Sequence, residues 1–260
     1  MRGMGRKKRE YTREQYEEAM RLLQQGLSPY KVAKMLGIPE STVYMWKKGG
    51  ISPAARWKPR PTKELAYVSG ALAGDGCVTA VTVRGEGRIR YRIILRVKDY
   101  EFAYEFSKCM ATILNKPIIK RPKIVQGLWD VTYDHKAFYM WYKSIYGKYD
   151  RLREYVERDG ETVRAFLRGI FNAEGSYYRH RRPHRRGYEE RITLTNTDLT
   201  LIRYVQHLLL RYFSIPSRLT SYRPKRYRRW YTLVISRRAS IRKFFEQIGF
   251  TIRRRQREQW

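Results

Sequence analysis

The stretch Val68-Ser69-Gly70-Ala71-Leu72-Ala73-Gly74-Asp75-Gly76 returns 99 positions later as Leu167-Arg168-Gly169-Ile170-Phe171-Asn172-Ala173-Glu174-Gly175. At that offset Ala66 meets Ala165, Gly70 meets Gly169, Gly74 meets Ala173, Asp75 meets Glu174 and Gly76 meets Gly175. Small residues recur at i, i+4 and i+8, which is one stripe of an α-helix. Each stripe ends in a carboxylate followed by glycine. Glycine terminates helices readily. A carboxylate in the last turn instead faces the negative end of the helix dipole, a penalty of roughly 0.3–1 kcal/mol. Two unrelated helix ends with exposed acids are the plain alternative. Five matched positions at one offset favour a duplicated unit whose acids share a partner, and a divalent cation would repay the cost twice.

The offset extends beyond the stripe, pairing Ile93 with Ile192, Leu95 with Leu194, Lys98 with Thr197 and Asp99 with Asp198. Thr62 is placed to cap the first motif helix, which is expected to run to Asp75. Alternating strands follow over 77–84 and 88–97 around Gly85-Glu86-Gly87. Asp99 opens a helix with Phe102, Ala103, Phe106 and Met110 inward, broken at Asn115-Lys116-Pro117. Strands over 118–125 and 128–133 flank Gln126-Gly127, and Asp134 is expected to cap a helix to Tyr146. The second half repeats the order: a motif helix over 161–174, strands near 176–182 and 190–196, and a helix over 198–212. It continues with strands near 217–223 and 228–235 and a last helix to Ile248, capped by Ser236. Such a repeat implies two pseudo-symmetric subdomains, 62–150 and 151–260.

Charge limits the partners. A 260-residue chain with net charge +32 and 42% hydrophobic residues can build real cores and still attracts polyanions, nucleic acid first among them. No uninterrupted apolar run is long enough to span a bilayer. The basic N-terminus lacks a signal-peptide core and reads as a flexible arm. Cys77 and Cys109 are far apart, without metal-ligand spacing, which fits a reducing intracellular setting. His180 and His184 have helical ligand spacing but lie among Arg179, Arg181, Arg182, Arg185 and Arg186, so a basic loop is the expectation. Arg253, Arg254, Arg255 and Arg257 read as a phosphate-facing or solvated tail.

Residues 1–50 form a small all-α pattern. Thr12 with Gln15 is a capping-box signature, opening a helix to about Gln25 with Tyr16, Met20 and Leu23 inward. Pro29 suits the first turn of a second helix, whose inner face is Val32, Ala33 and Leu36. Gly37 makes a turn into a third, with Val43 and Trp46 inward. The small Ala33, the turn at Gly37 and these apolar positions resemble the helix-turn-helix of site-specific recombinases and homeodomain-like regulators. On the outward face of the third helix, Ser41, Thr42 and Tyr44 would reach base edges, and Lys47 and Lys48 would meet phosphate. Residues 1–60 hold 14 Lys+Arg against 5 Asp+Glu. A three-helix bundle for protein contacts is the competing reading. Residues 51–61 form a basic linker, held extended by Pro53, Pro59 and Pro61.

Duplicated glycine-rich helices ending in Asp-Gly and Glu-Gly, each leading αββαββα, resemble the LAGLIDADG homing endonucleases over residues 62 to about 250. The resemblance implies an α+β fold of two pseudo-symmetric αββαββα subdomains that form a DNA-binding saddle, preceded by the helix-turn-helix domain. It implies that the motif helices pack side by side, with Gly70, Gly169, Gly74 and Ala173 allowing close approach. Asp75 and Glu174 would then hold Mg²⁺ over the scissile phosphates, and the carbonyls of Gly74 and Ala173 would add ligands. Mg²⁺ prefers such oxygen donors, and bound metal lowers a water's pKa and neutralises transition-state charge. A basic residue beside each site is also implied. Lys98 matches in the first half, whereas Asn196 and Thr197 stand in the second, so the two strands would be cut unequally.

Two motifs in one chain imply a monomer reading a long, asymmetric double-stranded DNA site, encoded within an intron. Candidates for the DNA face are Arg88, Arg90, Arg92, Lys120, Arg121 and Lys123 in the first half. Arg191, Thr193, Thr195, Arg218, Tyr222 and Arg223 are their counterparts in the second. A transcription regulator that binds DNA without cutting it and an RNA-binding intron maturase are the other readings of such a scaffold.

Overall fold

Helix starts are set by caps. Thr62 Oγ1 accepts the Leu65 N–H, and Asp159 and Thr162 form a reciprocal capping box. These open the two motif helices of the computed structural model, which describes residues 11, 13–48, 57–83, 89–116, 118–181, 188–223, 225 and 228–255. The chain divides into two units, Met1–Lys58 and Pro59–Trp260.

The first unit contains α1 (Arg13–Gln24), α2 (Pro29–Leu36) and α3 (Glu40–Lys47). Ser28 Oγ caps α2, and Gly37 ends it at φ 63°, a left-handed conformation. Ala19, Leu22, Val32, Ala33, Ile38, Val43 and Trp46 are buried together. Tyr16, Met20 and Leu23, expected inside, are only half-buried, because Ala19 and Leu22 take the inner stripe of α1.

The second unit runs α4 (Lys63–Ala73), β1 (Gly76–Thr82), β2 (Ile89–Val97), α5 (Tyr100–Ile113), β3 (Lys123–Val125), β4 (Leu128–Asp134), α6 (Lys136–Ile145) and α7 (Tyr149–Val156). It continues with α8 (Gly160–Glu174), β5 (Gly175–Arg181), β6 (Tyr188–Asn196), α9 (Leu199–Phe213), β7 (Arg218–Tyr222), β8 (Trp230–Ile235) and α10 (Arg238–Gln247). The strands form two four-stranded antiparallel sheets of the same order, β1-β2-β4-β3 and β5-β6-β8-β7. Gly76 pairs with Leu95 and Gly175 with Leu194, so even the register repeats. Alternation decides the faces. Ile93, Leu95 and Val97 of β2 and Ile192 and Leu194 of β6 are buried, and their neighbours face away from the core.

Several local expectations are corrected. The strand expected over 118–125 is limited to β3, since Pro122 has no N–H for a ladder and Ile118 is exposed. The segment is held instead by Ser107 Oγ donating to the Lys120 carbonyl (2.5 Å). Asp134 is the last residue of β4, paired with Arg92, and His135 Nδ1 caps α6. Ser236 does not cap α10; Arg237 stands at its N-cap, without a side-chain cap bond. Helix α7, not foreseen, spans the expected subdomain boundary at 150/151. Among the described residues no helix is long and apolar enough to cross a membrane.

Candidate functional site

The site is built by how closely α4 and α8 approach. A Cβ on Gly70 would collide with the Phe166 carbonyl, and a Cβ on Gly169 with the Tyr67 carbonyl. These two contacts are one contact repeated at the offset of 99. Further along, a Cβ on Gly74 would lie 2.5 Å from Ala173 Cβ and 2.8 Å from Glu174 Cγ. The contacts advance together along both helices, so α4 and α8 run in the same direction. Both acidic ends therefore fall at the same end of the pair.

The first motif helix, expected to reach Asp75, ends at Ala73, so Asp75 sits in the turn two residues beyond α4, and Glu174 is the last residue of α8. Desolvation, with Asp75 as a second cause, pushes the Glu174 carboxyl up to about 7, although Asn196 Nδ2 donates to it at 2.9 Å. Asp75 is exposed by area, yet the protein around its carboxyl still raises its pKa. The guanidinium of Arg255 opposes that rise, and Asp99 adds to it. Asn196 is itself fixed, because its Oδ1 accepts the Asp198 N–H (2.9 Å). The repeat partner of Asn196 is Val97, which is buried at the end of β2. Lys98 and Thr197 are both exposed just past their strands.

Two close carboxylates suit a hard divalent cation that keeps several waters and takes further oxygens from phosphate. Among the described residues no group of three or more His, Cys, Asp or Glu side chains could hold a metal. A cation at Asp75 and Glu174 would therefore need water, main-chain or substrate oxygens to complete its shell. The raised Glu174 sets a pH dependence. A carboxyl protonated more readily in the folded state than at its usual 4.5 costs stability as pH rises from there to about 7. In metal-free buffer, stability should fall over that window, and Glu174→Gln should flatten the fall; thermal melts from pH 4 to 8 measure both.

The open sheet faces carry part of the expected DNA-contacting set. Arg90 and Arg92 lie on the face of β2 away from the core, joined by Arg96, which was not foreseen. Some of this charge is committed inside the protein. Arg96 pairs with Asp130 (3.0 Å), Arg92 lies 3.9 Å from Asp134, and Arg191 pairs with Glu189. Lys120 Nζ donates to the Thr132 carbonyl (2.8 Å) and covers the Tyr133 ring. Arg121, Lys123, Arg218, Tyr222 and Arg223 are exposed. Thr193 is half-buried, and Thr195 shares a hydrogen bond with Thr232 (3.0 Å). Arg88 lies outside the described residues. In the first unit Ser41, Tyr44, Lys47 and Lys48 are exposed, Thr42 is half-buried, and Lys48 Nζ lies 4.8 Å from the Tyr44 ring centroid.

The basic tail, expected to face phosphate or solvent, also makes contacts within the protein. It folds back over the site. Asn172, buried in α8, binds Tyr67 (3.0 Å) and both accepts from and donates to Thr251 (2.9 Å each). Arg254 makes a two-bond pair with Asp99 (2.6 and 2.9 Å), and Arg253 lies 3.8 Å from Glu101. Arg255 Nη1 donates to the carbonyls of Gly175 (2.6 Å), Asn172 (2.9 Å) and Phe171 (3.4 Å). Arg257 lies outside the described residues. No local pattern marks these contacts, although a polar Asn172 among apolar residues of a helix is a faint signal of a buried partner.

Residues 161–249 match the family model of the LAGLIDADG-like domain, and residues 7–54 match that of the homeodomain-like domain. Two proteins of Methanocaldococcus jannaschii are similar in sequence. The uncharacterized protein MJ0314 is 29% identical over 45% of this chain and 42% of its own length. The uncharacterized protein MJ0398 is 24% identical over 86% of this chain and 82% of its own. Among solved structures, the homing endonuclease I-DmoI in complex with DNA and Mn matches with a TM-score of 0.53 at 21% identity, over 73% of this chain and 98% of that one. I-DmoI in complex with DNA and Ca matches at 0.53 and 19%, over 72% and 88%. At these identities the likeness to I-DmoI is one of fold.

Proposed function

We propose that this chain, which joins a homeodomain-like helix-turn-helix to a LAGLIDADG-like fold, is a Mg²⁺-dependent, site-specific double-strand DNA endonuclease. One observation carries this reading: the two halves of the repeat deliver Asp75 and Glu174 to one end of a helix pair, close enough for the charge on one to raise the pKa of the other. A binding scaffold gains nothing from that repulsion. The crystallised I-DmoI complexes with DNA and divalent metals support the same assignment.

Asp75 and Glu174 would bind the ion, with the carbonyls of Gly74 and Ala173 beside them. Bound Mg²⁺ lowers the pKa of a water and neutralises charge developing at phosphorus. Asn196 holds the Glu174 carboxylate in one orientation, and the Asp198 N–H holds Asn196. Lys98 would meet a phosphate in the first half, and Thr197 offers only a neutral hydroxyl in the second. The open sheet faces bind the duplex in the major groove, and α3 adds contacts that lengthen the site.

The test is a supercoiled plasmid library carrying source-genome fragments, incubated with Mg²⁺, with sequencing of the ends produced. Discrete, recurrent double-strand ends are expected. Retention of particular fragments without cutting in Mg²⁺ or Mn²⁺ would make the protein a regulator instead. The contribution of α3 is measured separately. Replacing Lys47 and Lys48 by alanine should lower the salt slope of duplex binding by about two, at roughly 0.9 per phosphate contact. An unchanged slope in fluorescence anisotropy would remove α3 from the DNA interface.

A further inference from the structure

The two halves of the repeat differ in charge beside their acids. The first half has Lys98, and the second has neutral Thr197 at the equivalent place. The C-terminal strap has no counterpart in the first half, where position 156 at the same offset is a buried valine of α7. Of the three consecutive arginines Arg253, Arg254 and Arg255, two face carboxylates: Arg253 faces Glu101, and Arg254 pairs with Asp99. Arg255 differs. All of its hydrogen bonds among the described residues run from Nη1 to main-chain carbonyls around the end of α8.

That anchorage has two consequences. A guanidinium hydrogen-bonded to neutral carbonyls is not neutralised by a bonded carboxylate, although Asp99 and Asp75 lie close enough to act on its charge. Its planar fork also leaves Nε and Nη2 without an acceptor among the described residues, and a guanidinium held on one side is preorganised to bind phosphate on the other. The carbonyls it grips flank Glu174, and its charge is felt at Asp75. The buried Asn172–Thr251 bonds and the Arg254–Asp99 pair hold the strap that carries it.

We propose that Arg255 is a phosphate-contacting residue of the candidate site, a cation that the tail fixes at the end of α8 and within electrostatic reach of Asp75. The proposal rests on the DNA-binding reading above. The alternative role is a helix cap for α8 and nothing more.

Salt dependence separates the two. Full-length protein is titrated, in EDTA, onto a duplex enriched from a randomised pool by binding to the parent chain. Arg255→Ala should make the slope of log K against log[salt] shallower by about 0.9, the value of one phosphate contact. Arg255→Lys should restore the slope. A cap-only residue predicts a lower melting temperature and weaker binding with the slope unchanged, and that result overturns the proposal. If the alanine variant does not fold, Arg255→Gln keeps amide donors for the carbonyls and removes the charge, and it must show the same loss of slope. A parent chain that enriches no duplex sinks the DNA-binding reading itself, and the Arg255 assignment with it.

Discussion

Asp75→Asn and Glu174→Gln should each slow DNA cleavage by about 10³-fold or more, while duplex affinity measured in EDTA stays within about threefold. Stabilising the charge at phosphorus through a bound metal is worth several kcal/mol, and each 1.36 kcal/mol is tenfold in rate. Binding is expected to survive because it comes from the sheets, α3 and the basic surface. Removing a negative charge from a surface that faces phosphate also does not weaken attraction. Glu174→Gln keeps an oxygen to accept from Asn196 Nδ2, so the local hydrogen bonding is preserved. Glu174→Gln removes both the cost of burying a charge and the repulsion from Asp75, and Asp75→Asn removes the repulsion alone, so neither should melt below the parent at pH 8. Inactivity without loss of stability is the signature of the proposed role. A variant that cuts at the parental rate would remove its acid from the site.

Gly70→Ala and Gly169→Ala should each destabilise the second unit by roughly 3 kcal/mol, in the range for overpacked cores. Alanine is intrinsically better than glycine in a helix by about 1 kcal/mol, so propensity alone predicts the opposite sign. The new methyl would meet the main chain of the facing helix: the Phe166 carbonyl and Ile170 nitrogen for Gly70, and the Tyr67 carbonyl and Ala71 nitrogen for Gly169. Main chain cannot rotate away as a side chain can, so relief requires α4 and α8 to separate. That separation also moves Asp75 from Glu174, and activity should fall with stability. Gly160→Ala is the control. It lies in the first turn of α8 with nothing within 4 Å of an added Cβ, and it should be neutral or slightly stabilising. At about 2–4 °C per kcal/mol for a unit of this size, calorimetry resolves the difference. Melting of Gly70→Ala at the parental temperature would contradict the close approach.

The two large predictions concern features visible in the one-dimensional chain. The small-residue stripe, its echo and the terminal acids are periodic over nine residues, and helical period and glycine chemistry are local properties. So are the alternation of Ile93, Leu95 and Val97 and the cap at Thr62. Ambiguity arose where two neighbours could serve equally. Asp134 and His135 can both cap a helix, and the pairing of Asp134 with Arg92 left the task to His135. The strand expected before Lys123 did not form because β propensity competed with proline and with a side-chain bond from the preceding helix α5.

What the sequence determined by itself is the duplicated unit, the two motif helices and the pair of acids at their ends, because each is written in local spacing. Only the tertiary structure decided that Asn196 holds Glu174, that Arg254 takes Asp99 away from capping α5, and that Arg255 lies at the end of α8. The last two join residues 155 and 83 positions apart. An arginine run that binds such partners has the same composition as one that is merely solvated, and no periodicity links it to them. The chain has to fold before that difference exists.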